Sequence, residues 1–324
     1  MNIVVYVPSF PPSNFGDHLG YEAVDFFLNS CFVDSNRVLV AVEREVDPSF
    51  YDYVKNADLF VLACSPWFWY GCVHSVKYQL LEKILGMNKR MKKIALSVGS
   101  CFPNERDVGC ITDSDCKHLF ELWDSFDLIH VRSSSVFDIL KVLGVDEKTH
   151  GLKNFDITTL LPLKYPLEIE PVEKVLAVYD PRNGFNASFL GSKRRDEILN
   201  FEKVLISDFG YTPVCHGVGD LQSFPEADLI VTISKFLRRV RLTKQLISGR
   251  IHFAIPCFAY GIPTKLFPVD SRFRACEEVG VKIIEPRIDE ADFGDGKIIQ
   301  PDFKNFFNSL KKEVWEVMGW RFEG

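Results

Sequence analysis

The stretch Leu246-Ile-Ser-Gly-Arg-Ile-His-Phe-Ala-Ile-Pro-Cys-Phe-Ala-Tyr-Gly-Ile-Pro263 predicts a short strand, a tight turn and an apolar helix that ends before Gly-Ile-Pro. Ser248 and Gly249 suit the turn, because serine caps helices and glycine lets a ligand approach the backbone. The first N–H groups of a helix lack intrahelical partners and carry the positive end of the helix dipole. The turn is therefore predicted to bind an anion such as a phosphate or a carboxylate.

Two side chains at this helix start are candidates for chemistry on the anion. Arg250 offers a planar fork of donors, and His252 has the ordinary pKa best suited to proton transfer near neutrality. Residues i and i+2 do not share a helix face, so both reach one ligand only if the helix begins at or next to Gly249. The alternative interpretation is a surface arginine beside a capping or buried histidine.

Short β-branched runs alternate with helical patterns on both sides of this stretch, which is typical of parallel strands buried on both faces. The predicted strands are 2–7, 38–42, 59–63, 94–98 and 128–131 in the first half, and 175–179, 212–215, 229–233, 264–269 and 281–284 in the second. Two such βα series predict an α/β fold of two Rossmann-like domains that face each other across a cleft.

A proline-rich segment separates the two series. Residues 162–172 hold three prolines and no clear period, so this segment is the expected linker. The expected domains are 1–165, an N-terminal Rossmann-like acceptor domain, and 172–324, a C-terminal Rossmann-like donor domain. The last predicted helix, 303–318, is a candidate to cross back to the first domain.

Two further loops follow predicted strands at the sheet end where such folds bind ligands. Asn14-Phe-Gly16-Asp17 follows the first strand, and Asp17 is a candidate to accept a proton from a substrate hydroxyl; the alternative is a helix N-cap. Arg182-Asn183 follows the first strand of the second half, where Arg182 is a candidate for the other side of an anion clamp. A plain turn is the alternative there.

The chain resembles the polysaccharide pyruvyl transferase family in three segments. In that family an arginine and a histidine two apart open a helix, Gly-[Ile/Val]-Pro follows it, and a basic residue follows the next strand; here these are Arg250, His252, residues 261–263 and Arg272. The Asn14 to Asp17 segment resembles the family's Asn-x-Gly-Asp motif. Residues 126–144 resemble its strand, arginine (Arg132), serine-rich cap and helix that ends in Leu-Gly.

This resemblance implies a GT-B-like fold and a transferase that moves a pyruvyl group from phosphoenolpyruvate to sugar hydroxyls as a ketal. His252 would be the acid, and Arg250 with Arg182 or Arg272 would hold the carboxylate and the phosphate. Asp17 would orient and deprotonate a hydroxyl of the carbohydrate acceptor. The scheme requires no metal and no cofactor beyond the donor.

One departure from the family concerns the loop after the third strand. The family usually has glycines there, whereas this chain has Cys64-Ser-Pro-Trp-Phe-Trp-Tyr-Gly71. Trp67 and Trp69 are candidates to stack on a sugar or a base, and packing at the domain interface is the alternative. A GT-B glycosyltransferase with a nucleotide-sugar donor, even one acting on a modified nucleic acid, is the runner-up function. A carbohydrate-binding relative without turnover is the third.

Composition argues against several other classes of protein. The 324 residues carry a net charge of −6, which gives no global attraction to nucleic acid. Nine cysteines without regular spacing, no visible signal peptide and no apolar run of about 20 residues lead us to expect a cytoplasmic protein without a membrane span. The basic run 235–244 is interpreted as a solvated helix face, with a polyanionic acceptor as the alternative.

Metal and mononucleotide motifs are weak. Asp113-Ser-Asp115 has the Asp-x-Asp spacing of metal-dependent nucleotide-sugar enzymes, but it precedes a predicted helix, where acidic residues stabilise the first turn. The cysteines and histidines lack paired zinc-ligand spacing. No complete Gly-x-Gly-x-x-Gly or Walker motif occurs.

Overall fold

Two parallel β-sheets, each covered by helices, organise the chain. The computed structural model describes residues 1–7, 15–41, 48–102, 113–149, 155–182, 190–294 and 300–320. The α/β fold class predicted from the alternating pattern is confirmed.

The first sheet contains the strands of the first 131 residues. They are β1 (Asn2–Val7), β2 (Asn36–Ala41), β3 (Leu59–Leu62), β4 (Ser65–Phe68), β5 (Lys92–Ser100) and β6 (Leu128–Val131). β3 pairs with the start of β5 and β4 with its end, so these two short strands occupy one position in the sheet. The resulting order β2-β1-β3/β4-β5-β6 is a common doubly wound order.

Helices connect these strands on both faces. They are α1 (Phe15–Cys31), α2 (Pro48–Lys55), α3 (Val76–Met87), α4 (Asp113–Asp124) and α5 (Ser134–Leu143). The Asp-x-Asp sequence lies in the first turn of α4, as the helix-cap interpretation expects. No described helix is both long and apolar enough to cross a membrane.

The second sheet has the strand order of dinucleotide-binding folds. Its strands are β7 (Glu173–Ala177), β8 (Thr212–Cys215), β9 (Asp228–Leu229), β10 (Thr243–Ser248), β11 (Thr264–Leu266) and β12 (Lys282–Ile283). They are ordered β12-β11-β10-β7-β8-β9, all parallel. The helices are α6 (Leu161–Lys164), α7 (Ser192–Ser207), α8 (Ile233–Leu242), α9 (Ile251–Ala259), α10 (Phe273–Val279) and α11 (Phe303–Val317).

The strand order reverses at one point in each sheet, and ligands of such folds bind at the carboxyl ends of the strands there. In the first sheet the reversal lies between β1 and β3, and β1 leads to the start of α1. In the second it lies between β7 and β10, and β10 leads to α9. Both helix starts are therefore at the places where this topology puts a ligand.

The two halves share one apolar core. Phe15 of α1 packs against Phe236 of α8, with ring centroids 5.7 Å apart, and Phe236 packs against Phe253 of α9 at 5.6 Å. The C-terminal helix α11 lies on α1, where Phe307 stacks on Phe26 at 5.8 Å. These contacts hold the start of α1 next to the start of α9.

Polar contacts also join the halves. Ser271 exchanges two hydrogen bonds with the backbone of Phe102, at 2.9 and 3.0 Å. Glu278 of α10 accepts a hydrogen bond of 2.9 Å from the Ser134 N–H at the start of α5. A carboxylate at that helix start also interacts favourably with the dipole.

Beyond shifts of a few residues in strand bounds, such as β11 ending at Leu266, three departures from the predicted elements stand out. The aromatic stretch predicted as a loop forms strand β4. The predicted strand 229–233 stops at Leu229, because the Thr232 hydroxyl accepts a hydrogen bond from the Lys235 N–H and starts α8. The proline-rich segment begins with the short helix α6, whose Pro162 lies in its first turn.

The basic helix α8 is largely neutralised by carboxylates. Arg239 pairs with Glu173 and Asp228, Lys235 pairs with Asp228, and Arg241 pairs with Glu170. Its charges therefore belong to an ion-paired surface, which supports the solvated-face interpretation over a polyanion site.

Candidate functional site

Helix α9 starts where the two candidate side chains can share a ligand. Arg250 is the N-cap and His252 is the second helical residue, so the predicted start next to Gly249 is confirmed. Ser248 does not cap the helix as expected. Its hydroxyl is buried and exchanges two hydrogen bonds of 2.8 Å with the backbone of Arg250. This contact fixes the turn before the helix.

Gly249 is needed for packing, and it also lies on the wall of the depression described below, so the approach of a ligand to its backbone stays a prediction. A Cβ at this position would lie 2.6 Å from the Phe267 ring and 2.8 Å from the Cβ of Tyr179. Both distances are shorter than any ordinary carbon contact, so only glycine lets the turn pass between these two side chains. The close packing holds the carboxyl ends of β7, β10 and β11 together.

The Arg250 guanidinium is fixed by partners that follow two other strands, β7 and β8. Its Nη2 donates to both carboxylate oxygens of Asp220, with Oδ2 at 2.6 Å, and the group lies 4.3 Å above the Tyr179 ring centroid. Asp220 is 2% exposed, and the buried Nε of Arg250 has no described partner. Arg250 is thus held in one orientation at the edge of the cleft.

Arg272 is held in a similar way after β11. Its Nε and Nη2 donate to the two oxygens of Asp270 at 2.8 and 2.6 Å. Burial lowers the pKa of Arg272, but the Asp270 carboxylate outweighs it and holds that pKa above the ordinary value. Each arginine therefore comes with a carboxylate partner that the sequence patterns did not reveal.

An open depression lies between these groups. The polar side chains on its wall are His216, Arg250, His252, Asp270 and Arg272. Two oriented guanidinium groups and two imidazoles on one wall suit a small ligand with more than one acidic group.

The His252 ring rests directly on the backbone of Gly16 in the first turn of α1. A Cβ added to Gly16 would overlap three atoms of the imidazole. Asp17, the next residue of α1, is half-buried in the same turn. The structure thus brings together the helix starts that carry the predicted acid and the predicted base.

His252 is neutral in this environment. Burial, and then the nearby charges of His216 and of Arg272, Arg132 and Arg250, hold its pKa well below the ordinary value.

His216 is a second histidine at the site, which the sequence patterns did not single out. It directly follows β8, and its ring centroid lies 6.0 Å from that of His252. The only available signal was its position at the carboxyl end of a predicted strand, where such folds place functional residues.

Arg132 lies behind the cleft rather than on its surface. Its side chain is 1% exposed, and the nearest carboxylate is Asp156, with an N–O distance of 3.8 Å. Both terminal nitrogens lack a described hydrogen-bond partner. A direct contact between Arg132 and a ligand, as predicted, does not fit this burial, although its positive charge acts on His252.

Arg182 does not face the depression. Its side chain is 53% exposed and pairs with Asp180 at 3.2 Å and with Ser223. The predicted clamp between Arg182 and Arg250 is therefore absent from the described arrangement, in which Arg272 lies on the wall of the depression together with Arg250. Asn14 and Asn183 lie outside the described residues.

The structure also corrects the prediction that both Trp67 and Trp69 can stack on a ligand. Trp67 is fully buried, packs on Tyr6 with ring centroids 5.4 Å apart, and cannot stack on a ligand. Trp69 is half-buried and remains a candidate for sugar stacking. Lys77, which was not predicted, lies 4.1 Å from the Trp67 ring centroid and 5.2 Å from that of Trp69.

Lys77 adds a positive charge on the first-domain side. Its ammonium donates to the Ser65 hydroxyl at 2.9 Å and to the Pro66 carbonyl at 3.2 Å. Burial lowers its pKa to about 8, and the charge of Asp17 partly offsets that shift.

Across the described residues, no three His, Cys, Asp or Glu side chains are grouped to hold a metal ion.

Several solved structures share the fold of this chain. The UDP-GlcNAc 2-epimerase of Methanocaldococcus jannaschii is 10% identical, with a TM-score of 0.54 and coverage of 93% of this chain and 95% of that one. The MnaA–UDP complex of S. aureus is 8% identical, with a TM-score of 0.57 and coverage of 97% and 96%. A variant of the wall teichoic acid polymerase TagF is 12% identical, with a TM-score of 0.50 and coverage of 98% and 89%.

These likenesses establish the GT-B-like fold, as predicted, and nothing finer. No curated protein sequence matches the chain. The profile of the family described as "Polysaccharide pyruvyl transferase" matches residues 14–271, which include both helix starts and Arg272. The chain is accordingly a transferase and belongs to the polysaccharide pyruvyl transferase family.

Proposed function

We propose that this transferase moves a pyruvyl group from phosphoenolpyruvate to two hydroxyls of a glycan and so forms a ketal. The contact between His252 and Gly16 carries the proposal, because it puts a proton donor for the donor substrate beside the half-buried Asp17 on the acceptor side. Family membership supports the same reaction type and a polysaccharide acceptor.

The depression suits the donor. Phosphoenolpyruvate carries a carboxylate and a phosphate, and Arg250 and Arg272 face the same space with fixed guanidinium groups. The first N–H groups of α9 add donors that no helix carbonyl can satisfy. These groups would hold both acidic ends of a three-carbon donor and leave its methylene carbon near His252.

The chemistry then follows from proton transfer. Protonated His252 gives its proton to the methylene carbon, which becomes the methyl group, and the central carbon becomes electrophilic. One sugar hydroxyl adds to that carbon, phosphate leaves, and the second hydroxyl closes the ketal. Two hydroxyl protons are released. One passes through Asp17 to the departing phosphate, and the other returns to His252.

The test is an incubation of the protein with phosphoenolpyruvate and a panel of glycans. We expect phosphate release together with an acceptor whose mass rises by one pyruvyl ketal. Donor binding without phosphate release on any glycan would favour a carbohydrate-binding protein without turnover. The absence of phosphoenolpyruvate binding in calorimetry would overturn the proposal.

A nucleotide-sugar glycosyltransferase is the second candidate. The observation in its favour is that the MnaA–UDP structure shares the fold over 97% of this chain. In this alternative Arg250 and the start of α9 would hold the diphosphate of the leaving nucleotide. Calorimetry with UDP and UDP-sugars discriminates the two functions, because only this candidate predicts that they bind more tightly than phosphoenolpyruvate.

A further inference from the structure

We propose that His216 is a positioning residue that shares one proton with His252: the pair lacks this proton in the empty cleft and takes it up from water when an anion fills the depression. The proposal deepens the proposed function and rests on it only for the identity of the anion. It assigns a role to a residue that no motif singled out.

The two imidazole rings are buried neighbours at the depression. The two ring centroids lie 6.0 Å apart, and His216 and His252 are only 7% and 8% exposed. The His216 ring is also braced: it stacks on Phe253 with an interplanar angle of 14° and a centroid distance of 5.9 Å. His216 therefore stays beside His252, which rests on Gly16.

The nitrogen Nε2 of His216 is unusual for a buried polar atom. It is inaccessible to solvent and has no described hydrogen-bond partner, although buried polar atoms in proteins are nearly always paired. Both histidines lie on the wall of the depression. A group that enters the depression, or a proton, would supply the missing interaction.

The surrounding charges keep the empty pair neutral. Burial first, and then the positive charges of Arg250 and Arg272, hold the pKa of His216 well below its ordinary value. His252 is affected by the same arginines, by Arg132 and by His216 itself. Two neighbouring imidazoles among three arginines cannot both be charged, so at most one proton is shared.

An anionic ligand reverses this balance. Arg250 and Arg272 are already paired with Asp220 and Asp270, so a carboxylate and a phosphate that bind between them add negative charge, which favours the imidazolium form of the histidine pair. The proton then comes from solvent at the moment of binding. A neutral His252 cannot act as an acid, so binding of the donor would itself create the acid that the reaction needs.

Calorimetry in two buffers of different ionisation enthalpy tests the proposal, because the difference in apparent binding heat gives the number of protons taken up. At pH 7.5 we expect phosphoenolpyruvate to bind the full chain with uptake of about one proton in all. His216→Asn should retain binding but lose at least roughly half of this uptake, since His252, buried beside the arginines, then has no neighbouring imidazole to share the proton. His74→Asn is the control, because that side chain is 78% exposed.

The outcomes separate this proposal from the proposed function. Phosphoenolpyruvate binding without proton uptake, or with unchanged uptake in His216→Asn, would overturn the shared proton. The assignment of phosphoenolpyruvate as the donor would then still stand. Proton uptake with UDP but no binding of phosphoenolpyruvate would retain the pair and overturn the donor. Failure of phosphoenolpyruvate, UDP and inorganic phosphate to bind at all would overturn both.

Discussion

The imidazole of His252 lies directly on the backbone of Gly16, so that the starts of two helices from different sheets touch at one glycine. A methyl group at position 16 would overlap Nδ1, Cγ and Cε1 of the ring. The candidate acid is therefore positioned by a residue without a side chain, and the family's Asn-x-Gly-Asp segment acquires a steric reason for its glycine.

Gly16→Ala should displace the His252 ring and lower turnover by roughly 100-fold, since a shift of about 1 Å at a reacting group has that effect. Overpacking should also destabilise the fold by about 1–3 kcal/mol. Turnover and chemical denaturation measure the two effects separately. Near-normal turnover would show that the contact does not position His252.

Gly86→Ala is the matched control. Gly86 is exposed in α3, and an added Cβ meets no atom within 4 Å. Alanine has the higher helix propensity, so this variant should be more stable by up to about 1 kcal/mol with unchanged turnover.

Arg250→Ala should weaken the binding of phosphoenolpyruvate roughly 10- to 100-fold, the range expected for one charge-assisted interaction. The structure adds a cost in stability, because Asp220 is 2% exposed and would lose its main partner. The free energy of unfolding should fall by about 1–3 kcal/mol. This is less than for a fully buried ion pair, because Arg250 is 20% exposed. Calorimetry and denaturation should be run on the same sample.

The double variant Arg250→Ala/Asp220→Ala separates the two effects. Removal of both partners leaves no unpaired charge, so stability should recover in part while donor binding stays weak. Recovery of binding together with stability would mean that Arg250 acts only through the fold.

The sequence predicted the secondary-structure elements better than it predicted the side chains that surround Arg250 and His252. Strands such as 2–7 and 128–131 were found with the predicted bounds, because buried parallel strands are continuous β-branched runs. The start of α9 followed from the geometry of positions i and i+2. Asp220 and His216 were missed, since they come from the loop after another strand and reach the site only through the sheet order.

The burial of Trp67 was not predictable for a related reason. Four consecutive aromatic residues give no period, and only the pairing of β4 with the end of β5 shows that Trp67 and Phe68 face two covered sides of a sheet. The predicted role of Arg182 failed because the adjacent Asp180 and the distant Ser223 hold its side chain away from the depression.

Trp67→Ala should destabilise the fold by about 3–5 kcal/mol, the usual cost of truncating a large buried ring. Trp69→Ala should cost much less, because that ring is half-buried, and should weaken acceptor binding if a sugar stacks there. Melting temperatures and acceptor KM values for the two variants test this division. Equal destabilisation without any change in KM would make Trp69 a core residue as well.

Glu313 of α11 should make stability fall as pH rises from about 4.5 to 7. Burial, with a smaller contribution from Glu316, raises the pKa of Glu313 to about 7 in the folded state, above that of an ordinary glutamate. The folded state therefore binds the proton more tightly, so the stabilisation is complete at low pH and is lost between about pH 4.5 and pH 7.

Glu313→Gln mimics the protonated side chain and should flatten this dependence. We expect a gain of roughly 1–2 kcal/mol at pH 8 and almost none at pH 4. The control Glu121→Gln changes an exposed carboxylate of α4 and should leave the profile unchanged. Parallel pH profiles of the wild type and Glu313→Gln would contradict the prediction.

His252→Asn is the sharpest test of the proposed chemistry. Asparagine keeps a polar side chain of similar reach but cannot donate a proton as an acid, so turnover should fall roughly 10²- to 10⁴-fold while phosphoenolpyruvate still binds. A buried histidine that served only the fold would instead lower the melting temperature first, and activity would fall only as the protein unfolded. Melting temperature, donor affinity and turnover must therefore be measured together. Loss of UDP or UDP-sugar affinity in this variant, with no effect on phosphoenolpyruvate, would retain the site but assign it to the glycosyltransferase alternative.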